Sequence, residues 1–263
     1  MRQIHLAQVD STNSYLRRRL AEEPDLEEYT VVTATDQIAG RGQPGHRWDA
    51  PAGQNLTMTL LLHPGDLMED GGTLFDLNIL TALAVRQALQ RELPPGPEVK
   101  VKWPNDLLVD GRKICGILLE NTFSSSRLEA SVVGIGVNVL QEHFGAGYPT
   151  TPTSIAAEQR RLGVAPLSGN SWHDRLVYEI LEALEERRRW TPVRLRQAYH
   201  TCLFGRGEAA CFVRPSGETF YGMIEEVRPD GRLVVRELPS GHRVSYAFRE
   251  VSMVLTDPLS ALR

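Results

Sequence analysis

The pattern of apolar residues changes near residue 204, and this change most limits the folds open to the chain. Before it, strand-like apolar runs alternate with longer segments that have the period of a helix. After it, short alternating strands are separated by evenly spaced Pro-x-Gly turns at 215–217, 229–231 and 239–241. We therefore predict an α/β domain over residues 1–204 and a small β-barrel or sandwich over residues 205–263.

The elements of the first domain follow from apolar periodicity and from capping residues. Ser11 and its neighbours supply the N-cap of a first helix. The segment 37–54 is rich in Gly and Pro and has few apolar anchors, so we expect a long irregular loop. Asp110-Gly111 predicts a tight hairpin turn. Strands are predicted at 5–9, 30–35, 55–62, 99–102, 107–109, 113–119 and 128–139, and further helices at 74–93, 153–161, 171–190 and 193–200.

The overall composition is that of an ordinary globular protein, with 41% apolar and 24% charged residues and a net charge of −4. The arginine triplets at 17–19 and 187–189 lie in helical patterns, which favours solvated helix faces over a nucleic-acid patch. No apolar run approaches the roughly 18 residues of a membrane span, and no signal-peptide core is present. The three cysteines have neither disulfide-framework nor zinc spacing. These features predict a cytoplasmic protein that binds neither DNA nor membrane.

Every lysine of the chain lies in one short stretch, at Lys100, Lys102 and Lys113, while the other basic residues are all Arg. A compact ammonium differs chemically from a planar guanidinium, so this restriction indicates that an ammonium is needed there. The sequence Trp-Pro-Asn-Asp106 lies between the lysines. Because a hairpin turn separates Asp106 from Lys113, we expect a carboxylate and an ammonium to meet at one anionic intermediate.

The second candidate site is the segment from Gly40 to Trp48. Glycine backbone amides can surround an anion, and Arg41 and Arg47 add charge-assisted donors. Trp48 offers a flat face on which a purine could stack. The segment lacks the Gly-Lys-Ser/Thr ending of a Walker A loop.

Several other chemistries are disfavoured by spacing. The neighbours of Cys115 are apolar, which is typical of a small core residue rather than a nucleophile. The histidines lack the spacing of a metal site, and no GxSxG elbow is present. The segment Gly134-Ile-Gly-Val-Asn138 lacks the third glycine of a dinucleotide fingerprint.

Five motifs together resemble the biotin protein ligases, in their order and spacing, over nearly the whole chain. They are Asp10-Ser-Thr-Asn13, Gln37 followed by Gly40-Arg-Gly42, Lys102-Trp-Pro-Asn-Asp106, Lys113-x-x-Gly116-Ile-Leu and Gly134-x-Gly-x-Asn138. The resemblance implies a mixed-sheet α/β catalytic domain shared with lipoyl ligases and class II synthetases, followed by an SH3-like barrel. The resemblance is to the monofunctional type of ligase, because a first strand expected near residue 4 leaves no room for a winged-helix DNA-binding domain before it.

The reaction implied by this resemblance has two steps. The biotin carboxylate attacks the α-phosphate of ATP, with Mg²⁺ bound to the nucleotide, to give biotinyl-5′-AMP and pyrophosphate. A lysine of a biotin carboxyl carrier protein then attacks the mixed anhydride and releases AMP. The reactive anhydride requires a loop that excludes water, which suits residues 37–54. A homodimer is left open.

The resemblance also implies a role for individual residues. Catalysis is expected from Lys113, Asp106 and Arg41, and no metal-binding side chain is expected. Asp106 would orient or deprotonate the incoming lysine. The adenylate would be bound by Arg41, Trp48, Lys113 and Asn138. The biotin contacts would be Ser11, Thr12, Asn13, Gln37, Arg41, Gly42, Gln43, Lys113 and Gly116.

The loop departs from the pattern of many bacterial members, since Gln43 and His46 stand where those carry arginines. This places retention of the adenylate in question. Three alternatives remain: a lipoate or octanoate ligase or transferase, which as a transferase would need an accessible Cys115; a DNA-binding biotin sensor; and an inactive binding module. The first is the nearest rival.

Overall fold

The computed structural model describes residues 2–43, 47–125, 127–167, 169 and 171–255. Its larger sheet has seven strands in the order β1-β2-β3-β7-β6-β5-β4. β1 and β2 are parallel and the other neighbours are antiparallel, so the predicted α/β class with a mixed sheet is confirmed. The strands are β1 (Gln3–Val9), β2 (Val31–Gln37), β3 (Asn55–Leu62), β4 (Val99–Lys102), β5 (Asp106–Val109), β6 (Arg112–Ser124) and β7 (Arg127–Asn138).

The helices cover both faces of this sheet. They are α1 (Thr12–Glu22), α2 (Gly65–Glu69), α3 (Leu74–Glu92), α4 (Ile155–Arg161), α5 (Ser171–Arg188) and α6 (Pro192–Thr201). Leu16 of α1 packs with Leu61 and Val132 on one side, which we call the front face. The alternate residues of β3, such as Met58, join the main core with α3 and α5 on the back face. None of the helices in the described ranges is both long and apolar enough to span a bilayer.

The predicted elements agree with this structure, with two exceptions. The five-residue helix α2 was missed, because so short a segment shows no period. β6 continues to Ser124 rather than ending at residue 119, since its polar second half pairs with β7. The hairpin turn at Asp110-Gly111 is confirmed: both residues have positive φ, at 47° and 77°.

The second sheet is antiparallel and has the order β11-β10-β9-β8-β12. Its strands are β8 (Ala209–Val213), β9 (Thr219–Val227), β10 (Leu233–Leu238), β11 (Arg243–Tyr246) and β12 (Ser252–Met253). One apolar core runs through both sheets and includes Val101, Phe212 and Val235. The predicted boundary at residue 204 falls between α6 and β8 and stays a prediction.

A turn of the second sheet packs against Trp103 and α3 at Gly231. Its carbonyl accepts a hydrogen bond from Trp103 Nε1 at 2.9 Å. A Cβ on Gly231 would lie 2.8 Å from the ring of Phe75 in α3. The positive φ of 85° and this close contact both require glycine here.

We expect Gly231→Ala to lower the free energy of unfolding more than Gly217→Ala does. Both glycines have a φ of 85°, but nothing lies within 4 Å of a Cβ on Gly217. The backbone cost of about 1 kcal/mol should therefore be common to both variants. The clash with Phe75 should add about 1–3 kcal/mol at Gly231. Denaturant unfolding measures the difference, and equal losses would show that Phe75 yields without cost.

Candidate active site

Three glycines form a flat floor on the front face of the large sheet. Gly116 of β6 is the register partner of Gly136 of β7, and Gly134 lies beside them. A Cβ on Gly134 would lie 2.2 Å from Asn13 Oδ1, and one on Gly136 would lie 2.4 Å from Trp48 Cε2. The absence of side chains therefore lets α1 and the Gly-rich loop approach the sheet. A cavity of about 590 Å³ opens above this floor.

The start of α1 gives the cavity a cluster of neutral polar groups. Ser11 is the N-cap residue, as predicted. The backbone N–H and Oγ1 of Thr12 donate to Gln37 Oε1 at 2.8 and 3.0 Å. Thr59 Oγ1 lies 2.7 Å from Thr12 Oγ1 and donates to Asn13 Oδ1 at 2.6 Å. The structure thus brings the predicted site residues Ser11, Thr12 and Asn13 together with Gln37, which lies at the end of β2.

An ammonium and a carboxylate meet across the β5–β6 hairpin. Lys113 Nζ lies 2.7 Å from Asp106 Oδ1, and both side chains line the cavity. The hairpin turn at 110–111 brings the two strands together, as the spacing predicted. The pair sits within a cavity, where electrostatic interactions are stronger than in water.

Lys102 also lines the cavity, although it is not among the site residues predicted from the sequence. It is the register partner of Asp106 on β4. Burial lowers the pKa of Lys102, the Asp106 carboxylate opposes that shift, and the Lys113 ammonium adds to it. Its ammonium makes no hydrogen bond to any described residue. The restriction of lysines to this stretch was the signal that could have identified it.

The Gly-rich loop is held down at several points. Arg41 and Arg47 form an antiparallel bridge, and Trp48 N donates to Gly40 O at 3.1 Å. The indole of Trp48 lies on the glycine floor and gives the loop an apolar anchor. The indole covers Gly136 directly, and a stacked purine could meet only its outer face.

The polar residues of the loop also contact the turn before β5 and the strand β6. Gln43 Nε2 donates to Asn105 Oδ1 at 2.7 Å, which ties the loop to the turn before β5. Arg41 lies 3.1 Å from Glu120 and lines the cavity with Gly42. His46, the other departure from the family pattern, lies outside the described residues.

Asn138 lines the cavity, but its amide is already used by the protein. Its Nδ2 donates to Thr153 O at 2.9 Å and holds the segment before α4 against β7. The predicted adenine contact of Asn138 stays a prediction.

The second sheet supplies one wall of the cavity, which the sequence did not reveal. Phe248, Val251 and Met253 are among the lining residues. The ring of Phe248 packs edge-on against Trp103, with centroids 6.1 Å apart. The site is therefore built from both sheets.

Two other kinds of site can be assessed from the same structure. Cys115 is fully buried in the main core, and burial raises the pKa of its thiol, so its prediction as a core residue is confirmed. Among the described residues, no three His, Cys, Asp or Glu side chains are grouped to hold a metal.

A second depression, of about 850 Å³, lies near the C-terminal ends of α1 and β6. Its arginines at 17, 127 and 188 are paired with carboxylates, and none of the predicted site residues lines it. The predicted chemistry is therefore confined to the front-face cavity.

The sequence profile of the biotin/lipoate A/B protein ligase family matches residues 6–138. The chain belongs to this family. It is 40% identical to a biotin–[acetyl-CoA-carboxylase] ligase of Paracoccus denitrificans, over 58% of this chain and 62% of that protein. It is 31% identical to the bifunctional ligase/repressor BirA of Bacillus spizizenii, over 79% of this chain and 62% of that protein. These alignments thus span less than two thirds of each relative.

Solved structures show the same fold. Biotin protein ligase from Aquifex aeolicus, in complex with biotin and ATP, superposes with a TM-score of 0.70 at 23% identity, covering 96% of this chain and 98% of that one. Biotin protein ligase from Leishmania major, in complex with biotinyl-5-AMP, has a TM-score of 0.61 at 21% identity, covering 94% and 98%. The α/β fold implied by the five motifs is therefore confirmed, and an antiparallel C-terminal sheet is consistent with the expected SH3-like domain.

Proposed function

We propose that this chain is a biotin protein ligase, which activates biotin with ATP and transfers it to a lysine of a biotin carboxyl carrier protein. The observation that carries the proposal is the Lys113–Asp106 pair, at 2.7 Å, in a cavity also lined by Lys102 and Arg41. One cavity thus combines neutral polar groups, suited to a ureido ring, with cations suited to a carboxylate and phosphates. The similarity to the biotin–[acetyl-CoA-carboxylase] ligase of Paracoccus denitrificans and to the Aquifex aeolicus ligase in complex with biotin and ATP supports this choice of substrates.

In the proposed first step, the biotin carboxylate attacks the α-phosphate of ATP and pyrophosphate leaves. The negative charge that develops would be stabilised by the ammonium groups of Lys102 and Lys113 and by Arg41. In the free protein, burial lowers the pKa of Lys102. The negative charge of a bound phosphate would favour the charged form of this lysine. The nucleotide would enter as its Mg²⁺ complex, and the metal would neutralise part of the charge on the phosphates.

In the proposed second step, the carrier lysine attacks the carbonyl carbon of the mixed anhydride. An amide bond forms, the bond from that carbon to the phosphate oxygen breaks, and AMP leaves. With Lys113 paired to the adenylate phosphate, Asp106 would be free to accept the amine proton. This matters because a lysine pKa near 10.4 leaves little free amine at neutral pH.

The nearest alternative is a lipoate or octanoate enzyme of the same family. A transferase that forms a thioester on Cys115 is disfavoured, because that thiol is buried in the core. A lipoate ligase differs only in its acid, so pyrophosphate release with biotin, lipoate or octanoate distinguishes the two. Release with biotin alone supports our proposal, and release with lipoate but not biotin overturns it. The cytoplasmic location stays a prediction, and a homodimer stays open.

Lys113→Arg should reduce adenylation at least about a hundredfold, although the charge is kept. A guanidinium is larger and cannot place a point charge between the carboxylate and the phosphate. Biotin-dependent pyrophosphate release in a single turnover measures the step. Lys100→Arg is the matched control, since Lys100 lies in the same stretch but does not line the cavity. Near-normal release by Lys113→Arg would remove this role.

Asp106→Asn should leave biotin binding largely intact and slow transfer to the carrier about a hundredfold, as expected for loss of a general base. A single-turnover assay with preformed adenylate isolates the transfer step. Asp49→Asn provides a comparison, because Asp49 also lines the cavity but has no contact with Lys113. If only adenylation falls, Asp106 is better assigned to nucleotide binding.

Gln43→Arg should reduce the escape of biotinyl-AMP, because the loop gains a positive charge near the adenylate phosphate. Gln43→Glu should increase escape, since it cannot donate to Asn105 and adds a negative charge. Labelling of a Lys-rich bystander protein, followed by mass spectrometry, measures escape. Self-labelling should be weak, because the chain has only three lysines. Wild-type labelling no higher than in an ATP-free control would refute a leaky loop.

A further inference from the structure

Glu120 is a mostly buried carboxylate on the front face that the proposed reaction has not used. It lies four residues after Gly116 on β6, and alternation places both on the same side of the strand. Its side chain is 19% exposed and does not line the cavity. It was absent from the residues predicted from the sequence.

Three side chains converge on this carboxylate. Asn13 Nδ2 donates to Glu120 Oε2 at 3.0 Å. Arg17 and Arg41 each place a guanidinium nitrogen 3.1 Å from Oε1. Within the described ranges, Glu120 is the only carboxylate that pairs with Arg41. Two guanidinium groups thus share one carboxylate. The cluster of Arg17, Arg41 and Glu120 therefore keeps a net positive charge.

The Glu120 carboxylate is itself positioned, through Asn13, by a hydrogen-bonded residue of the sheet. Buried Thr59 donates to Asn13 Oδ1 at 2.6 Å, which sets the orientation of the Asn13 amide. That orientation directs Nδ2 to Glu120. Two hydrogen bonds therefore run from the buried Thr59 through Asn13 to Glu120, and an ion pair connects Glu120 to Arg41, which lines the cavity.

We propose that Glu120 is a positioning residue, which holds Arg41 ready for the anionic end of the bound acid. The side chain of Arg41 is 44% exposed, so without a partner it would populate many rotamers. Fixing one arrangement before the ligand arrives removes part of the entropic cost of binding. This inference rests on the proposed function, because a carboxylate or phosphate is what Arg41 would meet.

The first test compares KM and kcat in acid-dependent pyrophosphate release. We expect Glu120→Gln to raise the KM for biotin about tenfold and to lower kcat less than about threefold, because one charge-assisted contact loses its orientation. Glu120→Asp keeps the charge on a shorter side chain and should recover part of the loss. A lower melting temperature with an unchanged KM would assign Glu120 a structural role only.

The second test is a double-mutant cycle with a matched control. Because Glu120 is proposed to act through Arg41, Glu120→Gln in an Arg41→Ala background should change the KM less than about twofold. Arg17→Ala removes a contact of the same length to the same oxygen, but Arg17 does not line the cavity, so we expect a change below about twofold. The inference would be overturned if the increases in KM of the two single variants multiply in the double variant. It would also be overturned if Arg17→Ala raises the KM as much as Glu120→Gln does.

The same series separates this inference from the proposed function. If the wild type activates lipoate or octanoate instead of biotin, the proposed function fails. The Glu120 variants are then assayed with that acid, whose carboxylate Arg41 would equally meet. A wild type that releases pyrophosphate with none of the three acids would overturn both.

Discussion

Close approach of side chains to the backbone of β6 and β7 is the constraint on which the front face depends. Gly116, Gly134 and Gly136 leave the sheet without side chains where Asn13 and Trp48 lie on it. Any Cβ at Gly134 would collide with the Asn13 amide, and through Asn13 the effect would reach Thr59 and Glu120. The polar cluster, the loop and the cavity therefore all require the same three glycines, whose backbone carries no side chain.

Electrostatics gives this cavity its second property. Lys102 and Lys113 lie on either side of Asp106, and burial lowers the pKa of Lys102. A cavity that is lined by more cationic than anionic groups favours anionic ligands. The restriction of lysine to this part of the chain then has a physical reason, since an ammonium acts as a compact point charge.

The second sheet contributes to the site as well as to stability. Trp103 lies in the turn between β4 and β5, just before Asp106, and it donates to Gly231 and packs against Phe248. The turn is thus fixed from the C-terminal side of the chain. A shared apolar core supports this arrangement, and it explains why the cavity wall includes residues far from the motifs.

The sequence by itself determined most of the secondary structure, and the site residues predicted from it all line the cavity. Periodicity, capping residues and turn residues act locally, so β3, α3 and the Asp110-Gly111 hairpin could be predicted. Likewise, the hairpin made the Lys113–Asp106 pair predictable, because its partners are seven residues apart. The five-residue helix α2 was too short for a period to mark it.

Only the tertiary structure decided which distant groups meet. The pairing of Arg41 with Glu120, the hydrogen bond from Gln43 to Asn105 and the contact of Trp48 with Gly136 join segments far apart along the chain. No periodic pattern records such contacts, because they depend on how strands are ordered in the sheet and how a loop folds back over it. The same reason hid the wall formed by the second sheet, whose position is set by packing at Gly231 rather than by any local motif.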